Sequence, residues 1–502
     1  MAPVFSFETM KHSLQRLRAE WAPSIPRELL AGAVATFALI PEVIAFSFVA
    51  GVDPAVGLFA SFVISLVIAF AGGRPAMVSA AAGSVALVAA PLVASHGLQY
   101  LLAAGLLAGL VQVAFGLLRL GVLVRFVSSS VRTGFVNALA VLIFAAQWPH
   151  LQAANGMGWA MLALGLALIY GLPLLPGRAF MLIPPPLICV VVLTLLSQAL
   201  DLPLATVADL GRLPDALPSF GLPEVPLSLE TLRIIALPAL AIAMVGLLES
   251  VLTAAVVDEM TETPSDKNRE CSGLGLANMA ASLFGGIAGC GMIGQAVGNV
   301  KYGGRGRLST LFAGVFLLLL MVLLKPWVSQ VPVMALVAIM VMVSAETFNW
   351  ASLRTLVVHP RSSSAVMLAT VVVTIATHNL AAGVGVGVLL SGVLFAVKVS
   401  QLLEVKAEDD AASGLRTWRV TGQVFFASAD AFIEAFDILD VEQRPVRIDL
   451  ARAHFWDITA VAALDKVVER LRHHGCAVEV VGLNQASAVL IDRLGAKDAE
   501  AA

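Results

Sequence analysis

Charge is what this sequence has least of. Only 13% of its 502 residues are Asp, Glu, Lys or Arg, against 59% hydrophobic residues and a mean hydropathy of +0.90. A soluble globular chain carries about 25% charged residues, so that class is excluded. Charge is absent altogether from Pro75 to Leu118, Thr133 to Gly177 and Ser362 to Val397, runs of 44, 45 and 36 residues. Each can hold two bilayer crossings of about 20 residues. Cysteine is scarce: Cys189, Cys271, Cys290 and Cys476 form no CxxC or Cys/His spacing, so neither a disulfide framework nor a metal site is expected, and no cofactor. A net charge of -3 gives no global field to recruit nucleic acid. Residues 1–27 are polar and lack an apolar core with a small-residue cleavage site, so no signal peptide is expected there.

What is present divides in two. Residues 1–400 hold 20 Lys+Arg and 17 Asp+Glu, whereas the last 102 hold 11 and 17, about a threefold rise in charge density. The expected organisation is a cytoplasmic N-terminal segment (1–27), a transmembrane domain (28–400), a linker (401–413) and a small α/β domain (414–502). In that last domain residues 418–427, 445–450 and 477–482 read as strands, while 429–439, 459–474 and a stretch from Gln485 read as helices. The membrane part reads as about fourteen spans: 28–49, 54–71, 79–94, 98–118, 126–147, 157–174, 179–199, 231–256, 270–286, 290–301, 308–325, 331–345, 363–378 and 380–398. A cytoplasmic N-terminus puts 17 of the 20 Lys+Arg on the cytoplasmic side, leaving only Arg212, Arg233 and Lys325 outside. An even count then also places the C-terminal domain in the cytoplasm.

Fourteen spans fall into two sets of seven, residues 28–200 and 231–400, and because seven is odd the sets are inverted. Each set has an acid in its first span, Glu42 after Pro41 and Glu249 in the other. About 40 residues later each has a short small-residue segment after a Gly-Gly pair. Gly72 and Gly73 lead to Ser79–Ala86, and Gly285 and Gly286 lead to Gly289–Ala296. Such segments begin half-helices inside the membrane, whose unpaired N–H groups hold an anion without lysine or arginine. The expected substrate residues are Ala82, Gly83, Ser84, Val85, Cys290, Gly291, Met292, Ile293 and Gln295. The competing reading is that these small residues only permit close helix packing.

Carboxylates inside a membrane are functional candidates because an unpaired charge there is expensive. Glu249 and Thr253 are four apart, on one helix face, and with Glu42 they form the expected coupling-ion set. Glu346 lies near a span end. Gln112, Asn137, Gln147 and Asn278 read as packing residues, and His150 and His378 as interfacial. No catalytic cluster lies in the spans, so an enzyme is not expected.

Segments Glu28–Ser47, Ala50–Leu58, Val256–Thr263, Asn268–Glu270, Gly275–Gly286 and Gly303–Ser309 resemble the signature segments of the sulfate permease, or solute carrier 26, anion transporters. The tail resembles a STAS domain, with Thr459 where related anti-sigma-factor antagonists carry a phosphorylatable hydroxyl. The resemblance implies fourteen spans in two inverted repeats, a core (spans 1–4 and 8–11) moving against a gate (5–7 and 12–14), a homodimer, and substrates among sulfate, bicarbonate, chloride and C4-dicarboxylates. It also implies that Glu249 and Thr253 occupy the positions of a cation-binding Asp and Thr in sodium-coupled bicarbonate carriers. Where many animal members carry a Ser-Arg pair, this chain has Gly294 and Gln295. Without that fixed positive charge, a co-transported cation is expected to offset the anion. Proton-coupled symport of a dicarboxylate ranks first, with Na+-coupled bicarbonate or sulfate symport and an uncoupled exchanger or channel as alternatives. Thr459 is a candidate regulatory residue, or simply a helix N-cap.

Overall fold

The computed structural model describes residues 20–121, 127–174, 185–210, 218–358, 360–377, 379–409, 414–437 and 444–494. His378 and the expected end of the 429–439 helix lie outside them. The chain divides into two compact units, Met1–Val388 and Leu389–Ala502.

Among the described residues, eight helices are long and apolar enough to cross a membrane, with four shorter apolar ones; the last of the eight, Ala382–Ser400, runs across the boundary between the units. The helices are α1 (Ile25–Ala50), α2 (Pro54–Ala71), α3 (Gly83–His96), α4 (Leu98–Leu117), α5 (Ser129–Ala146), α6 (Trp148–Ala153), α7 (Gly156–Gly171), α8 (Pro185–Ala199) and α9 (Val207–Leu210). After these come α10 (Leu229–Thr261), α11 (Lys267–Leu283), α12 (Ile293–Lys301), α13 (Arg307–Val328), α14 (Val333–Thr347), α15 (Ala351–Val358), α16 (Arg361–Thr377) and α17 (Leu380–Ser400). Two expected spans are only part helix. The stretch at 79–94 opens with a three-residue strand, β1 (Ser79–Ala81), and that at 290–301 begins within another, β2 (Gly289–Gly291); the absence of a side chain at Gly289 lets the two backbones come together.

The helices form two bundles. In the core, α11 packs on α2 and α4, α13 on α1 and α2, and α10 on α3, α4 and α12. In the gate, α14 packs on α5, α7 and α8, and α16 on α5. The bundles meet where α1 touches α8 and α14, and where α3 touches α5. Small residues set the core's close contacts: a Cβ on Gly109 would lie 2.6 Å from the Gly275 carbonyl oxygen, and one on Gly275 2.5 Å from that of Gly109. Backbones this near gain dispersion and weak polar contact where lipid gives helices no hydrophobic reason to associate.

Between the core helices β1 and β2 run antiparallel, Ser79 opposite Gly291, Ala80 opposite Cys290 and Ala81 opposite Gly289. Strands this short cannot satisfy their own backbone, and buried helix side chains complete them. Ser65 Oγ on α2 donates to the Ser79 carbonyl (2.9 Å), and Ser61 Oγ accepts from the Ala81 N–H (3.2 Å). Asn278 on α11 exchanges both hydrogen bonds with the Gly289 peptide and is itself held by Gln112 (2.9 Å). Ser250 and Thr253 on α10 take the N–H and carbonyl of Gly291. Gln112 and Asn278, expected only to pack, thus fix a strand.

The second unit contains the sheet β3 (Glu404–Asp409), β4 (Arg416–Val424), β5 (Val446–Phe455) and β6 (Val478–Val481) in that order, with β3 antiparallel and the rest parallel. The helices are α18 (Ala429–Glu434), α19 (Ile458–His473) and α20 (Gln485–Leu494). Trp418, Ile448, Leu450, Phe432, Leu464 and Val467 lie in its core. Two expectations are corrected. The 401–413 stretch is not wholly linker: Leu403 and Val405 pack on this core and Glu404–Asp409 pairs along β4, although its charges disguise the strand. Thr459 is not the N-cap of α19, since Asp457 Oδ1 accepts from the Ala460 N–H (2.9 Å). The hydroxyl of Thr459 sits one residue into the helix and is exposed.

Candidate functional site

The strands aim two helices at each other. β1 runs into α3 and β2 into α12, and neither Ala82 nor Met292, their N-caps, makes a side-chain capping bond. The first-turn N–H groups of both helices are therefore the unpaired donors that give a helix start its partial positive charge. Between them and the gate is a cavity of about 340 Å³. The core contributes Glu42, Phe46, Gly83, Ser84, Glu249, Leu252, Met292, Ile293, Gly294 and Gln295; the gate contributes Phe135, Val136, Leu139, Ile143, Val343, Glu346 and Thr347. No lysine, arginine or histidine is among these lining residues.

At one wall the two repeats are joined by a carboxyl. Glu249 Oε2 accepts hydrogen bonds from Ser84 Oγ at the start of α3 and from Cys290 Sγ on β2 (2.9 Å). Glu42 on α1 is hydrogen-bonded by Gln295 on α12. The Phe46 ring covers the α3 terminus so closely that a Cβ on Gly83 would lie 2.7 Å from it. The arrangement offers an anion two sets of backbone donors and an apolar gate wall. Its three carboxyls repel a negative ligand while they are ionised.

Of the residues expected at the site, Gly83, Ser84, Met292, Ile293, Gln295, Glu42 and Glu249 line the cavity. Ala82, Val85, Cys290 and Gly291 do not: they are buried behind it, and only Cys290 reaches a lining side chain. Thr253 is fully buried, and its hydroxyl donates to the carbonyls of Glu249 (2.8 Å) and Gly291 (3.0 Å) rather than facing the carboxyl. Sequence reasoning missed the gate wall, because Phe135, Val136, Leu139 and Ile143 lie on one face of an unremarkable apolar helix; their period of three and four was the available signal.

Two further acids escaped notice as structural groups. Glu28 accepts the N–H groups of Arg305 (2.7 Å), Gly306 (2.9 Å) and Ser309 (3.1 Å), capping α13 from α1. Glu270 accepts those of Gly73 (2.8 Å) and Arg74 (3.1 Å). Beside them Arg74 bridges to Asp258 (3.2 Å) and donates to Thr261 and Thr263.

Comparison with known proteins decides the family. The Sulfate permease family profile matches residues 25–158 and 149–370, and the STAS domain profile matches 406–500. The chain belongs to the sulfate permease family. YbaR of Bacillus subtilis (strain 168), which is named as a sulfate transporter, is 48% identical over 95% of this chain and 98% of its own length. The bicarbonate transporter BicA of Synechocystis sp. (strain ATCC 27184 / PCC 6803 / Kazusa) is 26% identical over 85% of this chain and 82% of its own. The fold matches that of the murine anion transporter Slc26a9 with a TM-score of 0.81, at 17% identity, over 98% of this chain and 92% of the other. The protein is thus a multi-pass anion transporter with a C-terminal STAS domain, and not an enzyme.

Proposed function

We propose that the chain is a proton-coupled symporter of a small dicarboxylate, fumarate or succinate in type, working by elevator-like movement of the core against the gate. One observation carries the reading: a cavity with two uncapped helix starts and three carboxyls, but no basic side chain, lies where the two bundles meet. The N–H groups of α3 and α12 hold the two ends of a dianion. Glu249 takes a proton as the anion enters, with Glu42 beside it, so the loaded core carries less net charge than the sum of its parts and moves through the membrane at lower cost. Ser84 and Cys290 orient the Glu249 carboxyl. Thr253 supports this indirectly through Gly291, which favours a proton over a sodium ion needing several oxygens. Sulfate is the second reading, favoured by the naming of YbaR and by the fact that it too is a dianion.

The same proposal includes a homodimer in the cell membrane, a cytoplasmic N-terminal segment and STAS domain, the transport domain at residues 28–400, and regulation through the exposed Thr459. The test is uptake of labelled fumarate, succinate, sulfate and bicarbonate into proteoliposomes with and without an inward proton gradient, for the parent and Glu249→Gln. Gradient-driven accumulation of a dicarboxylate, lost in the variant, supports symport through Glu249. Flux that ignores the gradient and the substitution overturns it.

A further inference from the structure

The cavity's negative charge is divided between the two bundles. Glu42 and Glu249 belong to the core, on α1 and α10, whereas Glu346 is on α14 of the gate, and all three line the same space. The core acids have hydrogen-bond donors, Gln295 for Glu42, and Ser84 and Cys290 for Glu249. Glu346 has no such donor among the described residues, and lies near enough to Glu42 for the two to repel.

The geometry points to Glu346 as the residue that makes anion entry conditional on neutralisation of the core carboxyls. This deepens the coupled-symport reading and rests on it. An anion between the two helix starts faces a carboxyl on the gate that no base among the lining residues compensates, and while that carboxyl is ionised the two repel. The repulsion falls on an unprotonated carrier most heavily, because the same anion then also faces Glu42 and Glu249. Once Glu42 and Glu249 are protonated Glu346 alone still opposes the helix starts, and they act unopposed only when it too is neutral. Glu346 therefore sets how acidic the compartment must be before the anion is held, and it suppresses transport of the anion without its cation.

The titratable groups around it are few. Across the cavity stand Glu42 on α1 and Glu249 on α10; on α7, Tyr170 is close enough to feel its charge. The α5 wall is apolar, and Arg132, a turn before Phe135, is exposed and outside the cavity lining. On α8, Cys189 is buried against the position of Gly165.

The experiment is equilibrium binding of labelled succinate and, separately, labelled sulfate to the purified full-length protein between pH 5 and pH 8. Wild type is compared with Glu346→Asp, Glu346→Gln and Glu346→Lys. At pH 8 binding should tighten in the order wild type, Gln, Lys, by about tenfold at the first step, a shift of the size one nearby charge produces. Toward pH 5 wild type, Glu346→Asp and Glu346→Gln should converge as the carboxyls take up protons, while Glu346→Lys keeps its charge and binds more tightly than all three. A merely structural residue gives no such ordering by charge. Equal affinities at pH 8, an offset between wild type and Glu346→Gln that persists at every pH, or no binding of either probe to any of the proteins at pH 5 overturns the inference. Failure of symport is read separately, from gradient-driven uptake by wild type: uptake that ignores the gradient while the Glu, Gln, Lys order holds removes the symport reading and leaves the charge role of Glu346.

Discussion

Ser84, the second residue of α3, donates its hydroxyl proton to the carboxyl of Glu249 on α10, joining the first repeat to the second at the wall of the cavity. Cys290 Sγ reaches the same oxygen at 2.9 Å. The carboxyl is thus oriented by one donor from each repeat, and either repeat's half-helix reports to it.

Ser84→Ala removes one of these donors and leaves the other. A hydrogen bond to a charged group contributes about 1.5–3 kcal/mol and favours the ionised carboxylate, so its loss should ease protonation and raise apparent substrate affinity at neutral pH by roughly tenfold, with folding intact. Cys290→Ser keeps a donor in place and should transport near the parent rate, while Cys290→Ala should resemble Ser84→Ala. Concentration-dependent uptake by the three variants at neutral pH checks this; an equal change in Cys290→Ser and Cys290→Ala would show that volume, not the hydrogen bond, matters there.

Gly289 makes a sharper demand. A Cβ at this position would lie 2.0 Å from the Ala80 carbonyl oxygen, so Gly289→Ala must part β1 from β2. Loss of a monodisperse protein on size exclusion is expected. Asn278→Leu is milder: it leaves both polar groups of the Gly289 peptide unpaired, at about 1–3 kcal/mol each, and thermal unfolding in detergent should move down by several degrees.

Much of this plan was legible in the sequence. Charge-free runs marked out apolar helices such as α4, α5 and α16, and the paired Gly-Gly segments pointed to α3 and α12, because such periodicity and composition are local properties. The short strands opening those segments were not legible, since three residues carry no period and their partners lie in the other repeat. For the same reason Thr253 could be placed on the face of Glu249, but not seen to turn its hydroxyl to the Gly291 carbonyl. Pairing across about 200 residues is invisible to spacing arguments, and β3 was hidden because an exposed edge strand is charged like a linker.

Glu28 shows how a plain helix-start acid can be a long-range clamp. It accepts three backbone N–H groups from residues 305–309 and is fully buried. Glu28→Ala orphans all three and should cost several times the ~1–3 kcal/mol of one unsatisfied donor. Glu28→Gln keeps one acceptor oxygen and should recover part of the loss. Unfolding temperatures of the parent and the two variants, measured at one detergent concentration, should fall in the order parent, Gln, Ala.

In the STAS domain the roles of neighbouring residues can be separated. Asp457 caps α19 through the Ala460 N–H and also accepts the Phe426 N–H (2.8 Å), tying the helix start to the end of β4. Asp457→Ala should cost about 1–2 kcal/mol locally, seen as faster amide exchange over 458–462 in the full-length protein. Thr459→Ala should leave that exchange unchanged, because its exposed hydroxyl caps nothing. Thr459→Glu adds a negative charge at a helix start, where the dipole favours it, and so should not loosen the helix. Any change it makes in proteoliposome uptake therefore reports regulation rather than unfolding, while uptake equal to that of Thr459→Ala would remove Thr459 from consideration as a switch.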